Sequence, residues 1–319
     1  MSERLITLIG GSGFIGRHLV RRLAAQGYRI RVGVRRPEKA KFLQPLGDVG
    51  QIVPVQVNVR DDTTVLAAVS GAWGVVNLVG VLRNSGHQTF NEIHAGGPGR
   101  VGRLARMAGV ERLVQMSALG ASAESASHYA QSKAEGENAL KAEFPSATII
   151  RPSLVFGPED QFFNRFAAMA ALSPFLPLFG DSLTGADAGT TKFQPVYVGD
   201  VAAAIAQCLA DDATAGQTFE LGGPRVYTFR ELMELVLAYT GRRRLLMPVA
   251  FSVASVGAAV LEMMPQAPLT RDQLKLLRID NVCDGLPGLA ELGVSPTPVE
   301  AVVPEFLARF RKGGRAVEA

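Results

Sequence analysis

The sequence predicts an α/β fold in which a doubly wound parallel sheet is followed by a smaller, mostly helical C-terminal lobe. Short, continuously apolar runs alternate with helical patterns through roughly the first half of the 319 residues, as expected of strands that are covered on both faces. A glycine-rich turn comes directly after the first apolar run. After residue 150 several prolines interrupt the alternation, and most of the remaining chain has helical spacing.

The predicted strands are short and rich in aliphatic and β-branched residues. They are residues 5–9, 29–34, 52–57, 75–79, 112–116, 148–150, 192–198 and 218–221. Because strands and helices alternate as repeated βα units, the connections favour a parallel sheet.

Helical patterns separate these strands. The first helix places Ile15, Leu19 and Leu23 on one face and ends at Gly27. Further helices are expected at 65–69 after an N-cap within 61–63, from about 88 to 107, from 129 to 143, and at 163–172, 201–209 (capped by Asp200), 228–239, 249–264, 271–277 and 299–310.

Composition excludes several classes of protein. Hydrophobic residues make up 47% of the chain and charged residues 19%, which excludes wholesale disorder. The formal net charge is +4, and the basic residues are scattered without interleaved aromatic residues, so we expect no nucleic-acid partner. The cysteines (Cys208 and Cys283) and the four histidines have no metal-ligand spacing, so we expect neither a metal nor a disulfide framework.

A strand begins at residue 5, and we therefore expect no signal or transit peptide.

The turn after the first strand has the spacing G-x-x-G-x-x-G. Gly10 allows a sharp turn, Gly13 allows a pyrophosphate to approach the backbone, and Gly16 allows the helix to pack on the sheet. The remaining candidate cofactor contacts in this turn are Ser12, Phe14 and Ile15. Because the motif lies between a strand and a helix, it predicts a Rossmann-type dinucleotide-binding domain rather than an ordinary tight turn.

The end of the second strand indicates which dinucleotide is bound. NAD-binding proteins usually place an acid there for the ribose hydroxyls, whereas this chain has Val34, Arg35 and Arg36. Two guanidinium groups suit a 2′-phosphate. We therefore interpret these arginines as ligands of NADP(H) rather than as ordinary surface charges. By position, Asn58 and Val59 are expected near the adenine and Leu78 and Val79 along the middle of the cofactor, although Asn58 also suits a plain turn.

A tyrosine and a lysine are placed four residues apart on one predicted helix. The spacing brings Tyr129 and Lys133 to the same face, where the ammonium group is expected to lower the pKa of the phenol. Ser117, after the fifth strand, is placed to polarise a carbonyl group. Such pairs also occur by chance, but together with the glycine turn they indicate a catalytic set of Ser117, Tyr129 and Lys133.

These motifs resemble the extended or atypical branch of the short-chain dehydrogenase/reductase superfamily. Within it, the chain resembles the nucleotide-binding accessory subunit of respiratory complex I (NADH:ubiquinone oxidoreductase) and its bacterial relatives. The resembling stretches are residues 76–80, 117–121, 129–137, 151–160, 162–166, 193–202 and 269–273. The stretches 162–166 and 269–273 favour this subgroup over the wider superfamily.

The order of the elements places an NADP(H)-binding Rossmann domain at 1–155, to which 192–222 return, and a smaller substrate or partner lobe at 156–191 and 223–319. The following expectations come from the resemblance. It implies tightly held NADPH that serves mainly a structural role, and partners among the complex I subunits. The protein would then be peripheral, on the cytoplasmic side of the bacterial inner membrane or the matrix side in a mature organellar form. It assigns the adenosine phosphate to Arg35 and the nicotinamide side to Tyr129, Lys133, Pro152, Ser153 and Val155.

Two other functions stay open at this point. An intact Ser117, Tyr129 and Lys133 set is unnecessary in a purely structural subunit, so a stand-alone NADP(H)-dependent reductase or epimerase/dehydratase is the alternative. A regulator that binds a partner according to its NADPH occupancy is a third hypothesis.

An apolar stretch at 248–264 contains a single charge, Glu262. It is shorter than the roughly 20 residues that span a bilayer. It is expected either to be a core helix of the smaller lobe or to contact lipid or a partner subunit, with the arginines 242–244 available to anionic headgroups.

Overall fold

The computed structural model describes residues 4–182, 185–262 and 269–313, which form two compact units. The first unit is drawn from Met1–Pro152, Val198–Leu221 and Asp284–Ser295, and the second from Ser153–Tyr197, Gly222–Cys283 and Pro296–Ala319. Relative to the limits proposed from the sequence, 153–155, 192–197 and 222 group with the second unit and 284–295 with the first. Glu220 explains the latter, since its carboxylate accepts the Asp284 N–H at 3.0 Å and its own N–H donates to Pro287 O at 2.9 Å.

The strands are numbered along the chain. They are β1 (Leu5–Ile9), β2 (Arg29–Val34), β3 (Ile52–Gln56), β4 (Gly74–Asn77), β5 (Arg112–Met116), β6 (Thr148–Pro152), β7 (Val155–Phe156), β8 (Phe175–Gly180), β9 (Lys192–Phe193), β10 (Val196–Tyr197), β11 (Thr218–Leu221), β12 (Tyr227–Thr228) and β13 (Leu245–Ala250).

The helices are numbered in the same way. They are α1 (Phe14–Ala25), α2 (Asp62–Val69), α3 (Gly96–Met107), α4 (His128–Glu143), α5 (Phe163–Leu172), α6 (Val198–Ala210), α7 (Phe229–Thr240), α8 (Phe251–Leu261), α9 (Arg271–Leu276) and α10 (Val299–Leu307). Short 3₁₀ helices lie at Pro37–Leu46, Asp212–Thr214 and Ala308–Phe310, and a π-helical turn at Asn91–Ala95 leads into α3.

The first unit contains a parallel sheet of seven strands in the order β11-β6-β5-β4-β1-β2-β3. Its central strands are buried except at the first residues of β1 and β5, because α1 packs beside α6 while α2, α3 and α4 form a second layer. This arrangement confirms the predicted α/β class and its doubly wound sheet. The strand order reverses between β1 and β4, and open α/β sheets bind ligands at such a point, beyond the carboxyl ends of the strands.

The second unit is mostly helical and has an aromatic core. Three two-stranded pairs, β7 with β10, β8 with β13 and β9 with β12, accompany α5, α7, α8, α9 and α10. Phe229 lies at the centre of the core, with ring centroids of Phe166, Phe179 and Phe193 at 5.6, 5.9 and 6.2 Å. Such contacts stabilise beyond the area that they bury.

Several elements differ from the prediction for identifiable reasons. The predicted strand 192–198 is two short strands, because Pro195 between them has no N–H for a ladder. Asp200 was expected to precede its helix as a cap, and this placement is wrong. It lies inside the first turn of α6, where a carboxylate also favours the helix dipole. The ribbon of β8 and β13 was missed because Pro177 suggested a loop and the chain from 249 onward was predicted to be helical, yet a two-stranded ribbon has free edges that tolerate proline.

The apolar stretch at 248–264 forms α8 over Phe251–Leu261. The last predicted residues of that helix, 263 and 264, lie outside the described residues. In the part of the chain that the structure covers, no helix combines the length and apolar character needed to cross a membrane.

The packing of α4 depends on a glycine. A Cβ atom on Gly136 would overlap the carbonyl oxygen of His94, whereas one on Gly257 in α8 would meet no atom within 4 Å. We expect Gly136→Ala to destabilise the protein by about 1–3 kcal/mol, as overpacking does. The matched Gly257→Ala is expected to stabilise it by about 0.5–1 kcal/mol, because alanine is the better helix former. Urea unfolding measures both changes, and equal stability of the two variants would contradict this account of α4.

Candidate nucleotide site

The glycine turn joins β1 to α1 and leaves its backbone open. Gly10 has a positive φ of 84° and its N–H donates to Gly33 O at 2.8 Å. A Cβ on Gly16 would overlap the carbonyl oxygen of Gly11, so glycine is required for α1 to start so close to the strand. Within the described chain, no side chain caps α1 at Gly13. The first N–H groups of the helix, from Phe14 onward, are therefore available to an anion.

The segment after β4 lies against this turn. A Cβ on Gly10 would be 3.2 Å from the Val79 nitrogen. The Leu78 N–H donates to Ile9 O at 2.8 Å, and the Val79 N–H donates to Asn77 Oδ1 at 3.2 Å. The structure thus brings Leu78 and Val79 to the glycine turn, at the point where the strand order reverses.

Of the residues predicted to contact the adenosine, two are exposed and the other two are already used within the fold. Arg35 and Arg36 are exposed after β2, and Arg35 Nη1 donates to Gln88 Oε1 at 2.6 Å. Asn58 instead acts in a turn, since its Oδ1 accepts the Arg60 N–H at 3.2 Å. Val59 is buried and packs in the apolar core beneath α2 and α3.

Lys133 contacts the backbone just before Ser117 and lies near the ring of Tyr129. Its Nζ donates to Met116 O, the residue before Ser117, at 3.3 Å and lies 5.8 Å from the centroid of the Tyr129 ring. Ser117 is only 4% exposed, and its Oγ has no hydrogen-bond partner among the residues that the structure describes. A buried hydroxyl group without a partner is costly unless a ligand satisfies it.

Burial dominates the electrostatics of this set. It raises the pKa of Tyr129 to about 12 and lowers the pKa of Lys133 to about 8, the latter opposed by the charge of Glu137. The expectation that Lys133 lowers the pKa of the phenol is therefore wrong, because burial disfavours the charged phenolate and raises that pKa. At neutral pH the phenol of Tyr129 carries a proton that it can donate.

Glu137 forms a buried ion pair one turn beyond Lys133. Arg151 on β6 donates to both of its carboxylate oxygens, at 2.9 and 2.7 Å, and Glu220 on β11 lies 3.7 Å from the same guanidinium group. The paired carboxylates leave a net negative charge near Lys133, which favours its ammonium form.

The predicted nicotinamide contacts near 152–155 belong to two units. Pro152 ends β6 in the first unit, where its carbonyl oxygen accepts the Leu119 N–H at 2.9 Å. Ser153 and Val155 belong to the second unit, where Ser153 Oγ donates to Asn281 Oδ1 at 2.7 Å and Val155 pairs with Val196.

His94 is a site residue that the sequence analysis missed. It is 2% exposed, its Nε2 accepts the Val81 N–H at 2.9 Å, and its Nδ1 lies 3.1 Å from Ser132 Oγ, which donates to Tyr129 O at 2.8 Å. Since Nε2 accepts, Nδ1 carries the proton. The ring also packs edge to face on Tyr129, at 5.2 Å between centroids. Its partners lie 13 and 38 residues away, so no local pattern could have indicated this role.

Together these groups fit a nicotinamide dinucleotide. The glycine turn leaves space and N–H donors for a pyrophosphate, and the unpartnered Ser117 hydroxyl belongs to the residue after Met116, whose carbonyl oxygen accepts from the buried Lys133.

We expect the buried neutral His94 to weaken the fold in mild acid. Burial, with a smaller effect of the Lys133 charge, lowers its pKa from 6.5 to about 3. Between these values the unfolded chain binds a proton that the folded chain does not, so stability falls as the pH drops below about 6.5. In His94→Asn, the loss of unfolding free energy between pH 7 and pH 5 should be smaller by about 2 kcal/mol.

Urea unfolding at the two pH values measures this difference. The exposed His128→Asn is the matched control for the replacement of an imidazole by an amide. An unchanged pH dependence in His94→Asn would show that His94 does not stay neutral in the fold.

Comparison with known proteins places this site in a family. The model of the NAD dependent epimerase/dehydratase family matches residues 6–222. The protein named NADH dehydrogenase (ubiquinone) 1 alpha subcomplex subunit 9, mitochondrial, is similar along nearly the whole chain. The Arabidopsis thaliana protein is 35% identical over 98% of this chain and 80% of its own length. The Mus musculus protein is 34% identical over 98% of this chain and 81% of its own length.

A solved structure shows the same fold. The dTDP-glucose 4,6-dehydratase DesIV from Streptomyces venezuelae, solved with NAD bound, has a TM-score of 0.70 to this chain, covers 98% of both chains and is 22% identical. The family match takes in the glycine turn, Ser117, Tyr129 and Lys133, and covers well over half of the chain. This chain therefore belongs to the NAD-dependent epimerase/dehydratase family.

Proposed function

We propose that this protein is an accessory subunit of a respiratory NADH:ubiquinone oxidoreductase and that it holds a nicotinamide dinucleotide mainly as a structural element. The extent of the similarity carries the proposal. The family match ends at residue 222, whereas the similarity to the mitochondrial complex I subunits extends over 98% of the chain and so includes the helical second unit. The solved dehydratase structure also covers 98% of this chain, but at 22% identity, whereas the mitochondrial subunits are 34–35% identical over the same extent.

We propose NADP(H), tightly bound, as the nucleotide. The end of β2 carries Val34 where an acid would hold the ribose hydroxyls, and Arg35 and Arg36 are exposed directly after it. The pyrophosphate would lie on the glycine turn from Gly10 to Gly16, and Tyr129 and Lys133 would meet the nicotinamide side. In this arrangement the nucleotide ties β1, β2 and α4 together, which stabilises the unit in proportion to how tightly it binds.

A membrane-facing role for α8 belongs to the same proposal. Phe251, Ala254 and Ala258 bury one side of the helix, so the expectation of a core helix fits that side. Three valines stay largely exposed on the other side, with 60, 70 and 63% of their surface accessible at Val253, Val256 and Val260. We propose that this stripe contacts the lipid surface beside the enzyme, on the cytoplasmic face of a bacterial inner membrane or the matrix face in mitochondria.

The arginines before α8 have a smaller part in this contact than the sequence suggested. Arg242 donates to Phe310 O at 2.7 Å and Arg244 to Ala170 O at 2.8 Å, so both guanidinium groups are used within the second unit. Arg243 is exposed and is the group available to an anionic headgroup.

A stand-alone NADP(H)-dependent reductase is the second candidate, and one observation favours it. The buried Ser117 hydroxyl has no partner among the described residues, although a purely structural site has no use for it. The nicotinamide would supply hydride to a carbonyl carbon. Ser117 would donate a hydrogen bond to the carbonyl oxygen, Tyr129 would transfer its proton there, and Lys133 would hold the two groups in place.

Nucleotide content and assembly test the main proposal together. Protein purified from its native membranes is expected to release stoichiometric NADPH on acid denaturation and to co-migrate with NADH:ubiquinone oxidoreductase on native gels. It is expected to show no turnover with carbonyl substrates. Absence of any nicotinamide nucleotide would contradict both candidates. Free migration together with multiple turnovers, abolished in Tyr129→Phe, would instead establish the reductase.

The exposed stripe of α8 gives a separate prediction. Val256→Asp places a charge at its centre and is expected to lower binding to vesicles of anionic lipid by about tenfold or more, because a desolvated carboxylate is costly and repels anionic headgroups. Val49→Asp, at a fully exposed valine of the first unit, is the matched control. A vesicle sedimentation assay measures both. Equal binding by the two variants would exclude α8 as the lipid contact.

A further inference from the structure

Two arginines follow neighbouring strands at the edge of the sheet where the adenosine end of a dinucleotide would lie. Val34 at the end of β2 pairs with Gln56 at the end of β3, and the Val57 N–H donates to Val34 O at 2.8 Å. Arg35 comes directly after β2, and Arg60 follows the turn that begins at Asn58 after β3. The sequence analysis identified only the first of them.

A single short segment holds both guanidinium groups. Arg35 Nη1 donates to Gln88 Oε1 at 2.6 Å, and Arg60 Nη1 donates to the carbonyl oxygen of the preceding residue, His87, at 3.1 Å. Mutual hydrogen bonds of 3.0 and 2.9 Å between the backbones of Ser85 and Gln88 order this segment. The two acceptors belong to consecutive residues, whose Cα atoms are about 3.8 Å apart. The guanidinium groups of Arg35 and Arg60 are therefore held in the same small region.

Neither cation is neutralised there. Of the two acids that follow Arg60, Asp61 accepts the Thr63 N–H at 3.0 Å, and Asp62 pairs with Arg100 and Arg103. Within the described ranges, Arg35 and Arg60 have only neutral oxygen acceptors. Two guanidinium groups in one region repel each other unless an anion lies between them, and the group that they match best is a phosphate dianion.

We propose that Arg35 and Arg60 together bind the 2′-phosphate of NADP(H), and that Arg60 is therefore a second determinant of the preference for NADP(H) over NAD(H). On binding, each guanidinium group exchanges a neutral oxygen of His87 or Gln88 for phosphate oxygens. The inference rests on the proposed nucleotide but makes a separate claim, since NADP(H) could bind through Arg35 alone.

Dissociation constants for NADPH and NADH, measured on protein freed of nucleotide, test the inference. Arg60→Gln is expected to weaken NADPH binding by about tenfold or more and to change NADH binding by less than about twofold. Arg60→Lys, which keeps the charge but loses the planar fork, is expected to lie between the parent and Arg60→Gln. Arg21→Gln on the exposed surface of α1 is the matched control and should leave both constants unchanged.

The other outcomes separate this inference from the proposed function. Equal weakening of both nucleotides in Arg60→Gln would indicate stacking on the adenine or a folding defect and would overturn the inference. Selective loss in Arg35→Gln but not in Arg60→Gln would also overturn it and leave the NADP(H) proposal standing. A parent protein that binds NADH more tightly than NADPH would overturn the NADP(H) proposal itself.

Discussion

The close approach of backbone to backbone at the start of α1 is the constraint on which the site depends. The chain leaves β1, turns at Gly10 and enters a helix within a few residues, while Gly16 lies against the carbonyl of Gly11. Any side chain at these points would push the helix away from the sheet. Because β1 is also the strand at which the order reverses, the open N–H groups of α1 face the crevice that the sheet topology provides.

Around that crevice the polar groups are buried and mutually dependent. Lys133 loses hydration, and the nearby pair of Glu137 and Arg151 partly compensates for it. His94 stays neutral and connects the segment after β4 to the first turn of α4 through Ser132. In this network Tyr129 is positioned by packing and by hydrogen bonds to its backbone, and its phenol remains protonated.

The same features explain how one fold can serve either a structural or a catalytic purpose. In the roles that we propose, the glycine turn and the arginines after β2 and β3 set how tightly a dinucleotide is held. Ser117 and Tyr129 would instead act on a group that reacts with it. A structural subunit needs the residues that hold the nucleotide but not Ser117 and Tyr129. A structural role therefore leaves the buried, unpartnered Ser117 hydroxyl unexplained.

Local sequence determined the parallel sheet and the glycine turn, because strand length, apolar content and glycine spacing are properties of consecutive residues. Every strand of the sheet was predicted to within about three residues at each end. The pairing of Tyr129 with Lys133 was likewise a matter of helical spacing. The tertiary structure alone decided the role of His94, the pairing of β8 with β13 and the convergence of Arg35 and Arg60. Each depends on groups that are 13 to 70 residues apart in the chain, and burial, which no local pattern encodes, decided the direction of the pKa shift at Tyr129.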